Sequence, residues 1–468
     1  MNTQAWVERF SKCKAPKLAG VLTAFNANVD AIVLGLGQPN RVLASLSDSE
    51  LAEVERKSDS EFREVKTPTD FFAALLHSVK TGKAMHLHAS PGVFDWIGSV
   101  FTADETRIGG QAGIMANQLA AFNDSVVAYT SLLSPLQASF FDPKVCFPSA
   151  SGKKLACLPA KKAARKGDAT KVNWIFEFKF GEKMRAKSEF HSPRANRLII
   201  SSPIHYTPVF ENVDVKQLAK NAGAALLSGF QHIHDSKELP KVLKTITSQI
   251  SEMKKANAKI AVHWEFVPME DKKAEKLVLL GVGKAVDSMG LNEVETAEVL
   301  KALGAKKEAD RLGKLENAYT LYLGGKKLLE LLKLKRVHLH SFGFQLLVLR
   351  KPYPVAVEKA RDSLIFSSIV AALKALKGSG FISKKEFEDH KLVPSETGFN
   401  QIRALEGGLD EERVKRFSSM ERRSLLENGI FELKDHYVII VPSPIVHPKS
   451  TVGLGDVISS MALTAERG

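Results

Sequence analysis

Short apolar runs alternate with amphipathic stretches along most of this chain, and that alternation constrains the fold more than any other feature. The runs 21–37 (VLTAFNANVDAIVLGLG), 125–133 (SVVAYTSLL), 224–230 (AALLSGF), 259–266 (KIAVHWEF) and 336–342 (RVHLHSF) read as buried strands. The stretches 239–257 and 360–376 space their apolar residues as helices do. Strands of this kind separated by helices require a mostly parallel sheet covered on both faces, because only crossover helices hide both sides of an apolar strand. Two regions break the rhythm. Residues 39–106 are rich in charge and turns, and 142–196 contain NWIFEFKF (173–180), whose alternation suits a strand with one exposed face. Together they are expected to form a discontinuous second domain, with the basic stretch 161–171 as a surface loop.

At 468 residues the chain is long enough for one large domain carrying a smaller one. Lysine and arginine outnumber aspartate and glutamate by 66 to 52, a formal charge of +14 that attracts phosphate-bearing partners of any kind. The excess is scattered over pairs such as Lys161 and Lys162, Lys254 and Lys255, and Lys306 and Lys307, and no nucleic-acid-binding motif accompanies it, so no nucleic acid partner is expected. Three cysteines, Cys13, Cys146 and Cys157, lack CxxC spacing and suggest neither a disulfide framework nor a zinc site. The opening MNTQAWVERF has no signal-peptide pattern, and no run approaches the ~18 apolar residues of a membrane helix. A soluble cytoplasmic protein without a membrane partner, monomeric or weakly oligomeric, is expected.

The most informative segment is TVGLGDVISSMAL (451–463), a Gly-rich turn leading into an apolar helix. Gly453 and Gly455 allow close backbone approach, and the amides opening the helix can hold an anion beside Asp456. A carboxylate there can take the proton of an attacking hydroxyl while the amides stabilise a transferring phosphoryl group. Alone, GxGD equally suits an ordinary strand-to-helix turn with a capping aspartate. In RIGGQAGIMANQLA (107–120) the pair Gly109 and Gly110 reads as a tight turn, a hinge or a close approach to ligand. NANVD (26–30) places Asn26, Asn28 and Asp30 on one face of a strand, where polar side chains need partners such as sugar hydroxyls. HWEF also reads as a strand with Trp264 inward, and GLNEVE as a helix start with Asn292 as cap and Glu295 completing a capping box. The pairs His86 and His88, His232 and His234, and His338 and His340 invite a metal reading, but no third ligand lies at convincing spacing, and cleft or core histidines fit better.

The set NANVDAIV, GGQAGIMAN, HWEF, GLNEVE and TVGLGDVIS, in this order from about Leu22 to Ala465, resembles the ADP-dependent phosphofructokinases and glucokinases of the ribokinase-like superfamily, closest to the archaeal-type 6-phosphofructokinases. The resemblance implies an α/β fold with a Rossmann-like large domain, a central mostly parallel sheet, and a smaller discontinuous lid. The large domain would take 1–30, 107–141 and 197–468, and the lid 31–106 and 142–196. It implies Asp456 as the base that deprotonates the sugar, with Gly453, Leu454 and Gly455 as the anion hole and Arg197 as the clamp on the donor phosphates. Asn28, Asp30, Gly110 and Gln111 resemble the sugar-binding set. His263 and Glu265 match an H-x-E motif, and Asn292 and Glu295 an N-x-x-E motif, that organise Mg2+ or another divalent cation, partly through water.

Members acting on glucose carry a glutamate in the segment corresponding to TGKAMHLHA (81–89), where the match here is His86, and Lys171 resembles the lysine that holds the sugar phosphate. The partners implied are small molecules, a sugar phosphate and ADP, with transfer of the β-phosphoryl group of MgADP to fructose 6-phosphate. The alternatives are a glucokinase or bifunctional kinase, an ATP-dependent kinase of the wider superfamily, and a catalytically silent sugar or nucleotide sensor. No Walker A pattern or protein-kinase set occurs.

Overall fold

A computed structural model of the chain describes residues 3–151, 154–233, 237–411 and 418–468, organised around two sheets. The larger sheet has eleven strands. Its centre is parallel: Val126–Thr130, Val21–Phe25, Ala224–Leu227, Ala261–Glu265, Ser288–Leu291 and Arg336–Ser341 lie side by side in that order. Antiparallel Phe344–Arg350, His436–Pro442 and Ile430–Glu432 extend one edge, and Val145–Ser151 with Lys154–Pro159 extends the other. Val21–Phe25, Ala224–Leu227 and Ser288–Leu291 are buried at every residue, as strands covered by helices on both faces must be. Helices Val357–Lys377 and Leu454–Arg467 pack on each other and Gln111–Ala120 packs beside them, adding their apolar faces to one continuous core.

The smaller sheet runs Glu64–Val65, Met85–Ala89, Asn196–Ser201, Val172–Phe178, Asn28–Leu34, Glu105–Gly109. Helix Pro68–Thr81 starts with a Thr67–Asp70 capping box and a proline in its first turn, and it buries Phe71 and Phe72 against Phe176 and Trp96 in a separate core.

Four expectations change. The apolar run 21–37 is not one strand: Val21–Phe25 belongs to the large sheet and Asn28–Leu34 to the small one, so the chain crosses between sheets at Asn26 and Ala27. Segment 142–196 divides between the sheets, since Val145–Ser151 and Lys154–Pro159 pair onto the large sheet while Asn196–Ser201 stays in the small one beyond residue 196. Partner choice by backbone pairing decides both, and pairing leaves no local trace in residue type. The stretch 161–171 is a surface segment only in part, because Lys171 at its end is buried. Cys146 and Cys157 form a disulfide-bonded pair across the edge hairpin with Cα atoms 5.5 Å apart, one bridge where the cysteine spacing suggested no disulfide framework. Among the described residues no helix is long and apolar enough to cross a membrane.

Candidate active site

Residues from four motifs meet at the carboxyl ends of the parallel strands, where open α/β sheets leave a crevice. Glu265 ends the strand Ala261–Glu265, Asn292 follows Ser288–Leu291, and His340 lies near the end of Arg336–Ser341. The loop after His436–Pro442 runs into helix Leu454–Arg467. Gly453 precedes that helix at φ +68°, a conformation other residues adopt at a cost, and provides no side-chain cap. The first helical bond is donated by Val457 N–H to the Gly453 carbonyl at 3.1 Å, so the N–H groups of Leu454, Gly455 and Asp456 have no acceptor within the helix and are available to an anion.

Asp456 stands in the first turn, beside these amides. Burial, then the Glu265 carboxylate, raise its pKa to about 7 against the opposing charges of His340 and Lys374. An acid poised there is half ionised at neutral pH, as a general base requires.

Glu265 accepts hydrogen bonds from His263 Nε2 and His340 Nε2, both at 3.1 Å. Burial alone would raise its pKa, but the two histidines outweigh it and hold the carboxyl well below its usual range. Glu295 accepts the Asn292 N–H at 2.8 Å and donates its own to Asn292 Oδ1 at 2.9 Å, the capping box expected from GLNEVE. Burial, with the neighbouring Glu265 and Asp456 charges, pushes Glu295 up to about 8 despite His340 and the Asn292 amide. The ionised Glu265 raises the pKa of both Asp456 and Glu295, so the three carboxyl groups form a donor set whose repulsion a divalent cation relieves, and these residues fit one. Among the described residues no three His, Cys, Asp or Glu side chains converge closely enough to hold a metal directly, so the fit is to a hydrated ion.

The small sheet supplies the facing wall. Asn28 Nδ2 donates to Asp30 Oδ1 at 2.6 Å, both side chains buried, and burial raises Asp30 to about 6 although Arg107, Asn28, Arg197 and Lys171 all act to lower it. Gly110 opens helix Gln111–Ala120 at φ +73°, where a Cβ would fall 2.6 Å from the Asn26 carbonyl oxygen and 2.8 Å from Asn28 Oδ1. Gln111 Nε2 donates to the Glu265 carbonyl at 3.2 Å, linking the Asn28–Asp30 pair to the carboxylate cluster. Arg197 reaches from the small sheet to Thr451 Oγ1 at 3.2 Å, two residues before Gly453. Lys171 is 2% exposed, with Nζ 2.9 Å from His232 Nε2 and 4.9 Å above the Tyr206 ring. Burial lowers its pKa to about 7 against the pull of Asp30. His86 bonds Ser201 Oγ at 2.6 Å and stacks on His88. Its edge is open to the surface, yet surrounding protein, then His88 and Lys171, lower its pKa to about 4, so it is neutral at pH 7.

The structure adds residues that the sequence reading left without a role. His340 holds Glu265, Thr451 meets Arg197, and His232 and Tyr206 hold Lys171. Arg107 pairs in register with Asp30, and Lys374 is buried near Asp456 and Arg107. The alternations of His232 with His234 and of His338 with His340 were the sequence signals for two of them; His234 lies outside the described residues.

The chain matches the model of the ADP-specific phosphofructokinase/glucokinase conserved region over residues 19–465. It is 31% identical to the ADP-specific phosphofructokinase of Pyrococcus furiosus, over 94% of this chain and 95% of that protein. It is likewise 31% identical to that of Methanosarcina acetivorans, over 99% and 98%. Among solved structures, an ADP-dependent kinase in complex with fructose-6-phosphate and ADPβS superposes with a TM-score of 0.82 at 31% identity, covering 100% of this chain and 99% of that one. With the family model, the relatives and the fold all matching over nearly the whole length, the chain belongs to the ADP-specific phosphofructokinase/glucokinase family.

Proposed function

We propose that this chain transfers the β-phosphoryl group of ADP to a hydroxyl of fructose 6-phosphate, giving fructose 1,6-bisphosphate and AMP. The observation that carries the reading is Asp456, half ionised at neutral pH, in the first turn of an uncapped helix and beside its unpaired amides. As the sugar oxygen attacks the β-phosphorus, its proton passes to Asp456 and the bond from phosphorus to the bridging oxygen breaks, leaving AMP. The amides of Leu454, Gly455 and Asp456 take the charge that builds on the transferred group, and Arg197 clamps the donor phosphates from the opposite wall. Asn28, Asp30 and the Gly110–Gln111 turn orient the sugar hydroxyls, and Lys171 takes the sugar phosphate.

A divalent cation would be held by Glu265 and Glu295 near Asp456, largely through water, and when bound neutralises charge on the donor. The adenine fits a cavity of about 370 Å³ beside the same helix, whose walls include Phe342, Ala371, Ala375, Ile445 and Val446. The two sheets act as body and lid, joined at Asn26–Ala27 and Gly109–Gly110, so that closing them removes water from the reacting groups. A coupled assay crossing ADP and ATP with fructose 6-phosphate and glucose tests the reading. Turnover is expected only for ADP with fructose 6-phosphate; equal kcat/KM with glucose points to a bifunctional kinase, and no turnover with any pair to a silent sensor.

A further inference from the structure

A second cavity, of about 820 Å³, opens at the opposite, amino-terminal edge of the parallel strands. Residues that begin three of those strands, Ala261, Ser288 and Arg336, line it. Its charged side chains are mostly cationic. Asp287 is paired with Lys254 and Lys335, and Glu466 with Arg336, whereas Lys220, Lys259, Lys359 and Arg467 have no ion-pair partner among the described residues. The 21-residue helix Val357–Lys377 also starts here, with Lys359 in its first turn and Ala356 at the cap position without a side-chain bond. Its first amides therefore face the same space. Arg336 belongs to the inner wall: it is 1% exposed, and its Nη2 has no hydrogen-bond partner among the described residues.

From that wall a buried polar chain crosses the sheet to the active site. Tyr353 Oη and Arg336 Nε both bond Glu466, the latter at 3.1 Å. Arg336 Nη1 donates to Ser288 Oγ at 3.2 Å, and Ser288 Oγ lies 2.8 Å from His263 Nδ1. His263 Nε2 then meets Glu265 Oε2 at 3.1 Å, and Glu265 Oε1 meets His340. The direction of donation is fixed at both ends, since arginine can only donate and an ionised carboxylate can only accept. With Ser288 Oγ accepting from Arg336, its one proton points at His263 Nδ1, which leaves His263 to donate through Nε2 to Glu265. Any movement of the Arg336 guanidinium is thus transmitted as a change in the hydrogen bond that orients Glu265.

We propose that this cavity is a second anion site, for a small phosphate-bearing ligand, and that its occupancy is felt at Glu265 through the Arg336–Ser288–His263 chain. An anion on the helix amides and Lys359 draws the Arg336 guanidinium toward it, in competition with Glu466. The binding part is independent of the catalytic reading; the kinetic part rests on it.

Calorimetry with inorganic phosphate, on protein whose active site is saturated with fructose 6-phosphate and a non-transferable ADP analogue, should detect binding that weakens at least tenfold in the double variant Lys220→Glu, Lys359→Glu. No binding under these conditions, or binding unchanged in the double variant, overturns the site. In steady-state assays at saturating substrates and controlled free magnesium, phosphate should shift the half-saturating magnesium concentration severalfold in the unmutated protein. Ser288→Ala should bind phosphate as before but lose the shift, and Ser288→Thr should restore it. A shift that persists in Ser288→Ala overturns the chain as its carrier. Should the protein prove to have no phosphotransfer activity, the calorimetric result still decides the site.

Discussion

Lys171→Met isolates what a buried lysine contributes to acceptor choice. The side chain is nearly inaccessible, lodged between His232 and the Tyr206 ring, so methionine fills its volume without leaving a charge to desolvate, and the variant should fold. A charged hydrogen bond to a phosphate is worth ~1.5–3 kcal/mol, and each 1.4 kcal/mol is tenfold, so KM for fructose 6-phosphate should rise about 10- to 150-fold. Turnover of fructose, which lacks the phosphate, should hardly change.

The same group dictates a pH dependence. Its pKa in the free protein is lowered by burial to about 7, so above pH 7 the folded protein binds fewer protons at this position than the unfolded chain does. Native stability due to Lys171 therefore rises with pH from about 7 toward the ordinary lysine value. A bound phosphate raises the pKa again, so binding takes up a proton in that window and affinity falls as pH rises above 7. The sugar phosphate, with a second pKa near ~6, is already a dianion there and does not contribute. Calorimetry at pH 8 in two buffers of different ionisation enthalpy should show uptake approaching one proton in the unmutated protein and none in Lys171→Met. An unchanged KM, or equal proton uptake in both proteins, would refute the placement of the sugar phosphate on Lys171.

Asp456→Asn should fold and bind nucleotide but lose ~10²–10⁴-fold in kcat, since it removes a positioned base. In Lys171→Met, where the opposing titration of the lysine is absent, kcat/KM should rise with pH through about 7 as that carboxyl ionises, and an Asp456→Asn mutant with wild-type turnover removes Asp456 from the base role. Glu295→Gln keeps a side chain able to complete the capping box with Asn292, so thermal stability should stay close to the original while more magnesium is needed for half-maximal rate; an unmoved magnesium curve would leave Glu295 as a cap alone. His86→Glu should raise kcat/KM for glucose by about tenfold, the value of one charged hydrogen bond to a hydroxyl, measured against fructose 6-phosphate on the same preparation.

Features that depend on local residue type were legible in the sequence. Strand-helix alternation announced a parallel sheet, because burial on both faces demands unbroken apolar strands, and the cap at Asn292 with Glu295 and the Gly-rich entry to helix Leu454–Arg467 formed where the residues indicated. What the sequence left open depends on pairing between distant segments. The run 21–37 does not reveal that it changes sheets at Asn26, nor does the hairpin containing Cys146 and Cys157 reveal that it joins the large sheet, since strand partners are chosen by backbone bonds every residue offers. The resemblance marked Lys171 for the sugar phosphate, but only the fold shows it buried against the Tyr206 ring, and His340 gained a role only when the parallel sheet brought it within hydrogen-bond reach of Glu265 across the intervening strand Ser288–Leu291. The pKa values follow the same division: residue type supplies Asp456, Glu295 and Lys171 with their charges, and burial among neighbours distant in sequence moves all three toward neutrality.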